Sequence, residues 1–306
     1  MNGAMANENE DAALRAYSVI SKEYIKLGLA WGRKARQVSQ VAPLFVCADR
    51  ESAESLEAEG FECICKPPET TLPALQRKWR AWYSWIIKPR EIRPLLSATE
   101  KLRWGKSRFK SDKAIYTNFL KMVAAFEFLE SGHPILYSDV DAVWIKNPIP
   151  DVLRQDADIA FQPGSIPADG ASGWPFNACA GFFYMRPCVH TREIIDELLY
   201  KFINGKIGND QYMLNRILRR DRHVEWPDLP PNWDDCSLEG GWVEPLRAEC
   251  RKTGMMLAAL PHAYYQRLGT HPAAVKHAIV CHPTADKDQE SKLEILMSLG
   301  IDLPSS

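Results

Sequence analysis

Short apolar runs alternate with amphipathic segments through the first third of the chain. The runs 16–20, 43–47 and 61–65 are rich in β-forming residues and predict strands, whereas 23–36 and 51–59 predict helices. Strands that alternate with helices over short links pair in parallel, because each helix returns the chain to the edge where the next strand starts. The alternation therefore predicts an α/β fold with a largely parallel sheet, in which ligands bind beside the carboxyl ends of the strands.

The motif Asp139-Val140-Asp141 follows another predicted strand. One apolar run, 134–138, precedes it and a second, 142–145, follows it, and neither has a helical period. Two carboxylates beside a buried strand are costly unless positive charge compensates them. A hard divalent cation, which prefers carboxylate oxygen, would compensate them and could hold the diphosphate of a nucleotide. A turn or a helix-capping pair is the structural alternative.

Two further Asp-x-Asp pairs have a more polar setting. Asp156 and Asp158 lie in a polar connection before a predicted strand, and Asp286 and Asp288 lie in a charged loop. Carboxylates in such places are solvated at little cost, so both pairs are interpreted as surface charge.

Composition excludes some classes of partner. The chain has 306 residues, of which 46% are hydrophobic and 25% are charged, as in ordinary soluble proteins. The formal net charge of −1 gives no bulk field that attracts nucleic acid, so no nucleic-acid partner is expected. No apolar run is long enough to span a membrane, and no signal peptide is expected at the start.

The cysteine pattern bears on the compartment. The chain has eight cysteines, and four of them lie in or beside apolar runs: Cys47, Cys65, Cys179 and Cys281. In a chain of this length without an export signal, we expect these to be reduced, buried structural thiols. The prediction that follows is a cytoplasmic location.

Three segments are interpreted by composition alone. Trp79, Trp82 and Trp85 lie near one helical face, which favours packing in the core over a sugar-stacking surface or peripheral membrane contact. Loop-rich insertions are predicted near 86–113 and 221–254. The first contains six basic residues between 101 and 113, which either are solvated or close over an anionic ligand.

The second half of the chain supplies further strands and helices. Apolar runs predict strands at 158–161, 181–185 and 278–281, the last of which ends just before His282. A strong helix is predicted over 115–130 and another over the apolar positions of 194–202. Asn209 is predicted to cap the helix that follows it.

One ordered set of motifs covers just over half of the chain, from about Lys121 to Lys292. It consists of Lys121, Gly132, the run 136–144, Asn147-Pro148, 158–160, Asn177, 181–186, Asn209-Asp210-Gln211 and His282. In order and spacing this set resembles the nucleotide-diphospho-sugar transferases, typified by plant and algal xylosyl- and arabinosyltransferase-like proteins. One departure is at Asn177, which Ala178-Cys179-Ala180 follow where family members often read Asn-Thr-Gly or Asn-Ser-Gly.

The resemblance implies a fold and a ligand set. It implies the glycosyltransferase GT-A fold, with a mixed, mostly parallel sheet, as a single domain over 13–306. The polar residues 1–12 before it are predicted from their composition to be a disordered tail. The resemblance also implies a nucleotide-sugar donor such as a UDP-sugar, a hydroxyl-bearing acceptor, and Mn²⁺ or Mg²⁺. Asp141 would bind the metal directly, Asp139 would contact the ribose or the metal's water shell, and His282 would be the third ligand.

Further roles are assigned to residues around this centre. Sugar transfer leaves negative charge on the diphosphate, which a cation stabilises, and positive charge on the sugar ring, which a carboxylate steadies. The resemblance places Asp210 and Gln211 at the sugar or acceptor, and Asp210 is the candidate for that carboxylate, although it could instead favour a helix start. Four further residues are candidate contacts with donor or acceptor. Ser21 and Asp49 would contact the nucleoside, and Asn177 the donor or acceptor. Lys121 would pair with a carboxylate or a phosphate unless it is a surface lysine.

Two other functions fit parts of the pattern. A haloacid-dehalogenase-type phosphohydrolase would use Asp139 as nucleophile, but its motif normally opens the fold, whereas here it follows more than a hundred residues. A non-catalytic sugar-nucleotide- or polyanion-binding module would use the basic segment 101–113. The sequence favours the glycosyltransferase over both.

Overall fold

Two sheets organise the chain in the computed structural model, which describes residues 13–71, 112–164, 174–203, 209–230, 233, 243–267, 275, 277–283 and 289–298. Within these ranges, the strands are β1 (Arg15–Ile20), β2 (Leu44–Cys47), β3 (Cys63–Cys65), β4 (Ile135–Ser138), β5 (Val143–Trp144), β6 (Ile159–Pro163), β7 (Ala178–Met185), β8 (Leu246–Glu249), β9 (Met256–Ala259), β10 (Tyr265–Arg267) and β11 (Val280–His282). The helices are α1 (Ile25–Ser39), α2 (Arg50–Ala58), α3 (Asp112–Glu130), α4 (Ile149–Arg154), α5 (Val189–Ile203), α6 (Asp210–Arg216) and α7 (Gln289–Ser298). A 3₁₀ turn at Lys22–Tyr24 precedes α1, and a π-helical turn at Ile217–Asp221 extends α6.

The large sheet has the strand order β3-β2-β1-β4-β7-β6-β9-β8. Its first four strands are parallel, with Tyr17 opposite Leu44 on one side and Tyr137 on the other. The strand–helix alternation in the first third therefore predicts this half of the sheet correctly. Because parallel strands end at one edge, the residues that follow β1, β2 and β4 are neighbours there.

Antiparallel pairing enters the sheet at β7. This strand lies between β4 and β6 and runs opposite to both, with Ser138 paired to Phe182. The ladder between β6 and β7 is irregular between Phe161 and Pro163, where four residues of β7 lie opposite Gln162. The sheet is therefore mixed but mostly parallel, as expected.

The prediction of a loop-rich insertion over 221–254 is wrong for its last part. Leu246–Glu249 forms β8, the edge strand that pairs antiparallel with β9, and Val224 forms an isolated bridge with Cys250. Leu246 and Ala248 are buried, whereas the two residues that alternate with them are exposed. Four residues are too few for this period of two to stand out in a segment rich in proline and acid.

The small sheet has the order β10-β11-β5. Its strand β5 follows the Asp-x-Asp motif directly and pairs antiparallel with β11, with Val143 opposite Cys281. β10 pairs in parallel with β11, with Arg267 opposite His282. These registers bring the distant His282 and Arg267 back to the residues that follow β4.

The core has two parts, one on each face of the large sheet. One face packs against α3 and α5, and its cluster includes Tyr17, Tyr137 and Phe183. The other face packs against α1, whose fully buried Trp31 meets Phe45 and Trp144 edge to face. Aromatic side chains contribute much of the stability of a core. Tyr137 therefore anchors β4 on one face of the large sheet, and Trp144 anchors β5 on the other.

Some predictions fall outside the described residues. These are the tail 1–12, the tryptophans at 79, 82 and 85, the pair at 286 and 288, and the basic segment except its last two residues, Asp112 and Lys113, which begin α3. Among the helices that the structure does describe, none combines the length and the apolar character that a membrane span requires.

The described cysteines are all free thiols, and most but not all of them are buried. Cys47, Cys179 and Cys281 are buried, as expected, and so is Cys250. Cys65 is exposed, which corrects the expectation of a buried thiol there, because β3 is the edge strand of the large sheet.

Candidate metal and donor site

The Asp-x-Asp motif forms a tight turn between β4 and β5. The Asp139 amide donates to the Gly181 carbonyl at 2.7 Å, and the Ala142 amide donates to the Asp139 carbonyl at 2.9 Å. The Ser138 hydroxyl donates to the Ala142 carbonyl at 3.1 Å and accepts from the Trp144 indole N–H at 3.2 Å. Because these buried polar groups have partners, the turn holds both carboxylates in fixed positions.

Asp139, Asp141 and His282 converge on one point. One ligand atom of each side chain lies within 4.8 Å of the corresponding atoms of the other two. The His282 Nε2 is 3.2 Å from Asp141 Oδ1, and both side chains are buried, whereas Asp139 is about one-third exposed at 33%. The three residues predicted to bind a metal therefore form a cluster that opens to solvent on the Asp139 side.

Asp141 is compensated by two cations on different elements. Besides His282, the Lys292 ammonium of α7 lies 2.5 Å from Asp141 Oδ2. Burial alone would raise the pKa of the Asp141 carboxyl, but His282 and Lys292 hold that pKa well below its ordinary value. Burial would likewise lower the pKa of Lys292, yet the charge of Asp141 raises it. Asp141 is therefore ionised, and the helix that carries Lys292 is held against the motif.

The ring of His282 faces charges on both sides. Burial and the Arg267 guanidinium lower its pKa, Asp141 raises it, and the net result is a pKa of about 9. Histidine binds a metal as neutral imidazole, so a cation bound at this site would take the place of a ring proton.

Gly181 leaves the space in which Asp139 and His282 meet. It pairs with the end of β4, and a Cβ atom at this position would lie 2.5 Å from both Asp139 Oδ2 and His282 Cε1. Any larger side chain would therefore displace two of the three candidate ligands. This close approach explains why glycine stands at the start of the apolar run 181–185.

Lys121 lies beneath the motif, and its side chain is only 4% exposed. Its ammonium is 2.5 Å from Asp210 Oδ2 and 3.7 Å from Asp139 Oδ1, and it donates to the Ala180 carbonyl at 2.9 Å. Burial would lower the pKa of Lys121, but the two aspartates raise it. The surface-lysine interpretation is therefore wrong, and the structure shows a lysine paired with two carboxylates.

Tyr137 and Asn209 make two further contacts near Asp139 and Asp210. The Tyr137 hydroxyl donates a short hydrogen bond to Asp139 Oδ1, and burial together with Asp139 raises the pKa of Tyr137 well above its ordinary value. Asn209 caps α6 as predicted, because its side chain accepts from the Tyr212 amide at 2.9 Å. A helix start therefore does not by itself account for Asp210, whose side chain turns to Lys121 instead.

Gln211 and Asn177 lie beside Gly164, which follows β6. The Asn177 carbonyl accepts from the Gly164 amide at 2.5 Å, and Gln211 Nε2 is 3.3 Å from where a Cβ of Gly164 would be. The Asn215 amide group donates to the Gln211 carbonyl at 2.7 Å and to the Ala178 carbonyl at 2.8 Å, which ties α6 to the start of β7. The contact of both residues with sugar or acceptor stays a prediction.

Ser21 and Asp49 lie after β1 and β2, at the edge where β4 ends. Asp49 caps α2, since its carboxylate accepts from the Ser52 amide at 2.8 Å and from the Lys22 amide at 2.9 Å. Ser21 is buried at the start of the 3₁₀ turn. The capping contacts give Asp49 a structural role, and its contact with a nucleoside, like that of Ser21, stays a prediction.

Three charged or polar residues of the site had no local sequence signal. They are Gln162 in β6, Arg267 in β10 and Lys292 in α7. Arg267 donates to Cys179 Sγ at 2.6 Å, and this guanidinium, with His282, lowers the pKa of the Cys179 thiol although burial raises it. A lone arginine or glutamine in a short strand has no spacing that marks it, and only the pairing of β10 with β11 reveals the cluster.

Comparison with known proteins identifies the family. Residues 40–296 match the nucleotide-diphospho-sugar transferase family, which is most of the chain. The chain therefore belongs to this family of glycosyltransferases. The assignment favours the glycosyltransferase hypothesis over the phosphohydrolase and the binding module.

Curated relatives match over a shorter stretch. The chain is 30% identical to arabinosyltransferase RRA1 of Arabidopsis thaliana over 146 residues, which is 41% of this chain and 34% of that protein. It is 27% identical to arabinosyltransferase RRA2 of the same plant over 131 residues, 36% of this chain and 30% of that protein. The match thus spans about a third of the length of these relatives.

Solved structures agree with the fold. An active-site mutant of LgtC has 10% sequence identity and a TM-score of 0.50 over 95% of this chain and 97% of that chain. Mouse xyloside xylosyltransferase 1 has 13% identity and a TM-score of 0.47, over 89% of this chain and 98% of that chain. The likeness to LgtC, together with the family assignment, confirms the GT-A fold expected from the sequence.

Proposed function

We propose that this protein is a metal-dependent glycosyltransferase that moves a sugar from a nucleotide-diphosphate donor, a UDP-sugar, to a hydroxyl group of its acceptor. The observation that carries the proposal is the convergence of Asp139, Asp141 and His282 at the carboxyl edge of the sheet. In open α/β sheets this edge is where ligands bind. Family membership supports the same reaction class.

The residues fit a divalent cation. Two carboxylates and one imidazole form a donor set that suits Mn²⁺, and imidazole favours it over Ca²⁺, with Mg²⁺ as the alternative. Gly181 keeps the space between Asp139 and His282 free of a side chain. Such a cation, when bound, would stabilise the negative charge of the leaving diphosphate as a Lewis acid.

Lys292 and Arg267 are proposed to bind the diphosphate. Lys292 contacts Asp141, and Arg267 contacts Cys179 beside His282, so the two cations lie on either side of the candidate ligands. Both can donate hydrogen bonds to phosphate oxygens, and arginine can do so with two parallel N–H groups. Positive charge at these positions would stabilise the diphosphate as the bond to the sugar breaks.

Asp210 is proposed to face the sugar. During transfer the acceptor oxygen bonds to the anomeric carbon, the bond from that carbon to the diphosphate breaks, and the hydroxyl proton passes to the released diphosphate or to solvent. The sugar ring becomes positively charged on the way, and a fixed carboxylate steadies such a centre. Lys121 holds Asp210 by a 2.5 Å ion pair, whereas Gln211 and Asn177 are proposed to contact sugar or acceptor.

Replacing Gly181 with alanine tests the geometry of the cluster. The new Cβ would have to displace Asp139 or His282, so we expect Mn²⁺ affinity, measured by calorimetry, to fall at least about tenfold. Gly28→Ala is the matched control, because a Cβ there is equally crowded but meets only the side chains of Ile20 and Phe45. Equal Mn²⁺ affinity in the two variants would contradict the site.

The donor is tested directly with purified protein. We expect a UDP-sugar to raise the melting temperature only with Mn²⁺ present, because a ligand at about a hundred times its Kd stabilises the folded state by about 2.7 kcal/mol. The names of the curated relatives suggest UDP-arabinose as the first donor to compare with other UDP-sugars. The same mixture should slowly release UDP by hydrolysis in the absence of acceptor.

The competing functions give different results in this assay. A phosphohydrolase would release inorganic phosphate from a phosphate ester, and a binding module would bind without turnover. Absence of Mn²⁺-dependent binding to any nucleotide sugar would contradict the proposal. A cytoplasmic location, which the free thiols support, is tested by the distribution of the tagged full-length protein between cell fractions.

A further inference from the structure

We infer that Gln162 is a positioning residue for His282: its side-chain oxygen holds a proton on Nδ1 of the ring, so that Nε2 is the nitrogen left for the metal. The inference rests on the proposed metal function. It concerns which atom of His282 faces the cation and which residue decides it.

The two ring nitrogens of His282 have different neighbours. Nε2 faces Asp141 Oδ1 at 3.2 Å, on the side where the three candidate ligands meet. Nδ1 faces the other way, with Gln162 Oε1 at 3.1 Å and Cys179 Sγ at 3.8 Å. Arg267 Nη1 lies beside both nitrogens, 3.0 Å from Nδ1 and 3.5 Å from Nε2. Only Nε2 is therefore placed to share a cation with Asp141.

The amide of Gln162 can point in only one direction. Its Nε2 donates to the Gln266 carbonyl at 3.0 Å, which leaves Oε1 directed at the ring. With the amide reversed, an oxygen would face the carbonyl and an N–H group would face Nδ1. Gln162 is fully buried, so no water competes for this oxygen.

The pairing of β6 with β7 is irregular around Gln162. Between the pairs Phe161–Phe183 and Pro163–Ala178, β6 has one residue, Gln162, whereas β7 has four, so the extra residues lie on β7 and Gln162 has no regular partner there. The side chain of Gln162 instead bridges two strands of the small sheet, because it contacts Gln266 on β10 and His282 on β11. A polar residue inside an apolar strand thus orients His282, one of the candidate metal ligands.

Arg267 competes for Nδ1 but has another acceptor. A guanidinium can only donate, so its 3.0 Å contact with Nδ1 would require that nitrogen to carry no proton. Arg267 also donates to Cys179 Sγ at 2.6 Å, and that sulfur accepts from the Gly181 amide at 3.3 Å. With Arg267 held by Cys179, the oxygen of Gln162 is the acceptor for the Nδ1 proton. Metal-bound histidines usually donate their second N–H in this way.

The test compares variants of the full chain with Mn²⁺ alone. In Gln162→Met the acceptor is lost at nearly constant volume, and we expect Mn²⁺ affinity by calorimetry to fall about 10- to 100-fold. Gln162→Glu keeps an acceptor oxygen and should retain most of the affinity. Gln155→Met is the matched control, because Gln155 is also buried and donates to a backbone carbonyl, that of Asp151 at 3.0 Å, away from His282.

Nitrogen-15 spectra of the histidine rings give a second readout that needs no turnover. With Mg²⁺ bound, His282 should carry its proton on Nδ1. In the metal-free protein, the Nδ1 proton should exchange slowly with solvent in the wild type and in Gln162→Glu, and rapidly in Gln162→Met. These spectra do not depend on nucleotide sugars, so failure of the proposed transfer reaction leaves them interpretable.

Each outcome decides the inference. Equal Mn²⁺ affinity in Gln162→Met and Gln155→Met, or a metal-bound ring with its proton on Nε2, would overturn it. If the wild type binds no Mn²⁺, the metal assignment fails, and proton exchange in the metal-free protein then decides whether Gln162 orients the ring. Equal exchange rates in the wild type and Gln162→Met would overturn that role as well.

Discussion

Asp141→Asn is expected to lower Mn²⁺-dependent release of UDP from the donor at least about a hundredfold, because Asp141 would hold the cation that stabilises the leaving diphosphate, and loss of such electrostatic stabilisation costs this much or more. Asn keeps the size of the side chain but removes the charge that faces His282 and Lys292. Steady-state kinetics over a range of Mn²⁺ concentrations measures the change. The loss should persist at saturating donor, since the missing carboxylate would hold the cation that acts on the leaving diphosphate.

The second Asp-x-Asp pair supplies the control for this variant. Asp156 has a side chain that is 88% exposed and pairs with Arg186 at the surface. Asp156→Asn removes the same charge from the same kind of motif, and turnover should remain at the wild-type level. Turnover in Asp141→Asn equal to that in Asp156→Asn would refute the metal assignment.

Lys121→Met is expected to destabilise the folded state by about 3–5 kcal/mol, the usual cost of removing one partner from a buried ion pair. Asp210 would then be buried at 8% exposure without its counter-charge, and Asp139 would lose a cation at 3.7 Å. Urea unfolding, followed by circular dichroism, measures the change. The slope of the transition should stay the same, because the variant exposes no additional surface on unfolding.

A double variant separates the charge from the packing. In Lys121→Met/Asp210→Leu both buried charges of the closest pair are absent, so most of the lost stability should return. Lys22→Met is the control, since Lys22 pairs with Glu51 in solvent, with 50% and 65% of the two side chains exposed. Such surface pairs contribute little, so its stability should match that of the wild type. If the double variant is as unstable as Lys121→Met, the ion pair does not explain the cost.

Much of the first half of the fold could be predicted because its signals are local. The alternation of apolar runs and helices gives β1 to β4 in parallel, and the end of β4 places the Asp-x-Asp motif at the ligand-binding edge. The strands β8, β9 and β10 have three or four residues each and lie in a stretch without clear period. Pairing with distant strands, rather than local preference, decides that they form.

The residues of the site also divide into those that a sequence signal marks and those that none marks. The aspartates could be found from their apolar setting, and His282 from the order of motifs in the resembling family. Lys292 lies 151 positions from Asp141, and no spacing rule connects them. Lys121 did carry a signal, because it is the one charged residue between Lys113 and Glu127, and its neighbours Phe119, Leu120, Met122 and Val123 are all buried. A lysine in such a position needs a buried partner, which the sequence could not name.

The candidate metal ligands come from two sheets that meet at the Asp-x-Asp motif. Asp139 and Asp141 extend from the large sheet, whereas His282 ends the small sheet, which reaches the motif through the pairing of β5 with β11. An ion shared by all three would act as a cross-link that closes a long loop of chain, and such closures restrict the unfolded chain most. The strand β11 and the helix α7 could then separate from the large sheet only after the ion leaves. Loss of the ion would therefore remove both the catalytic activity and the link between the two sheets.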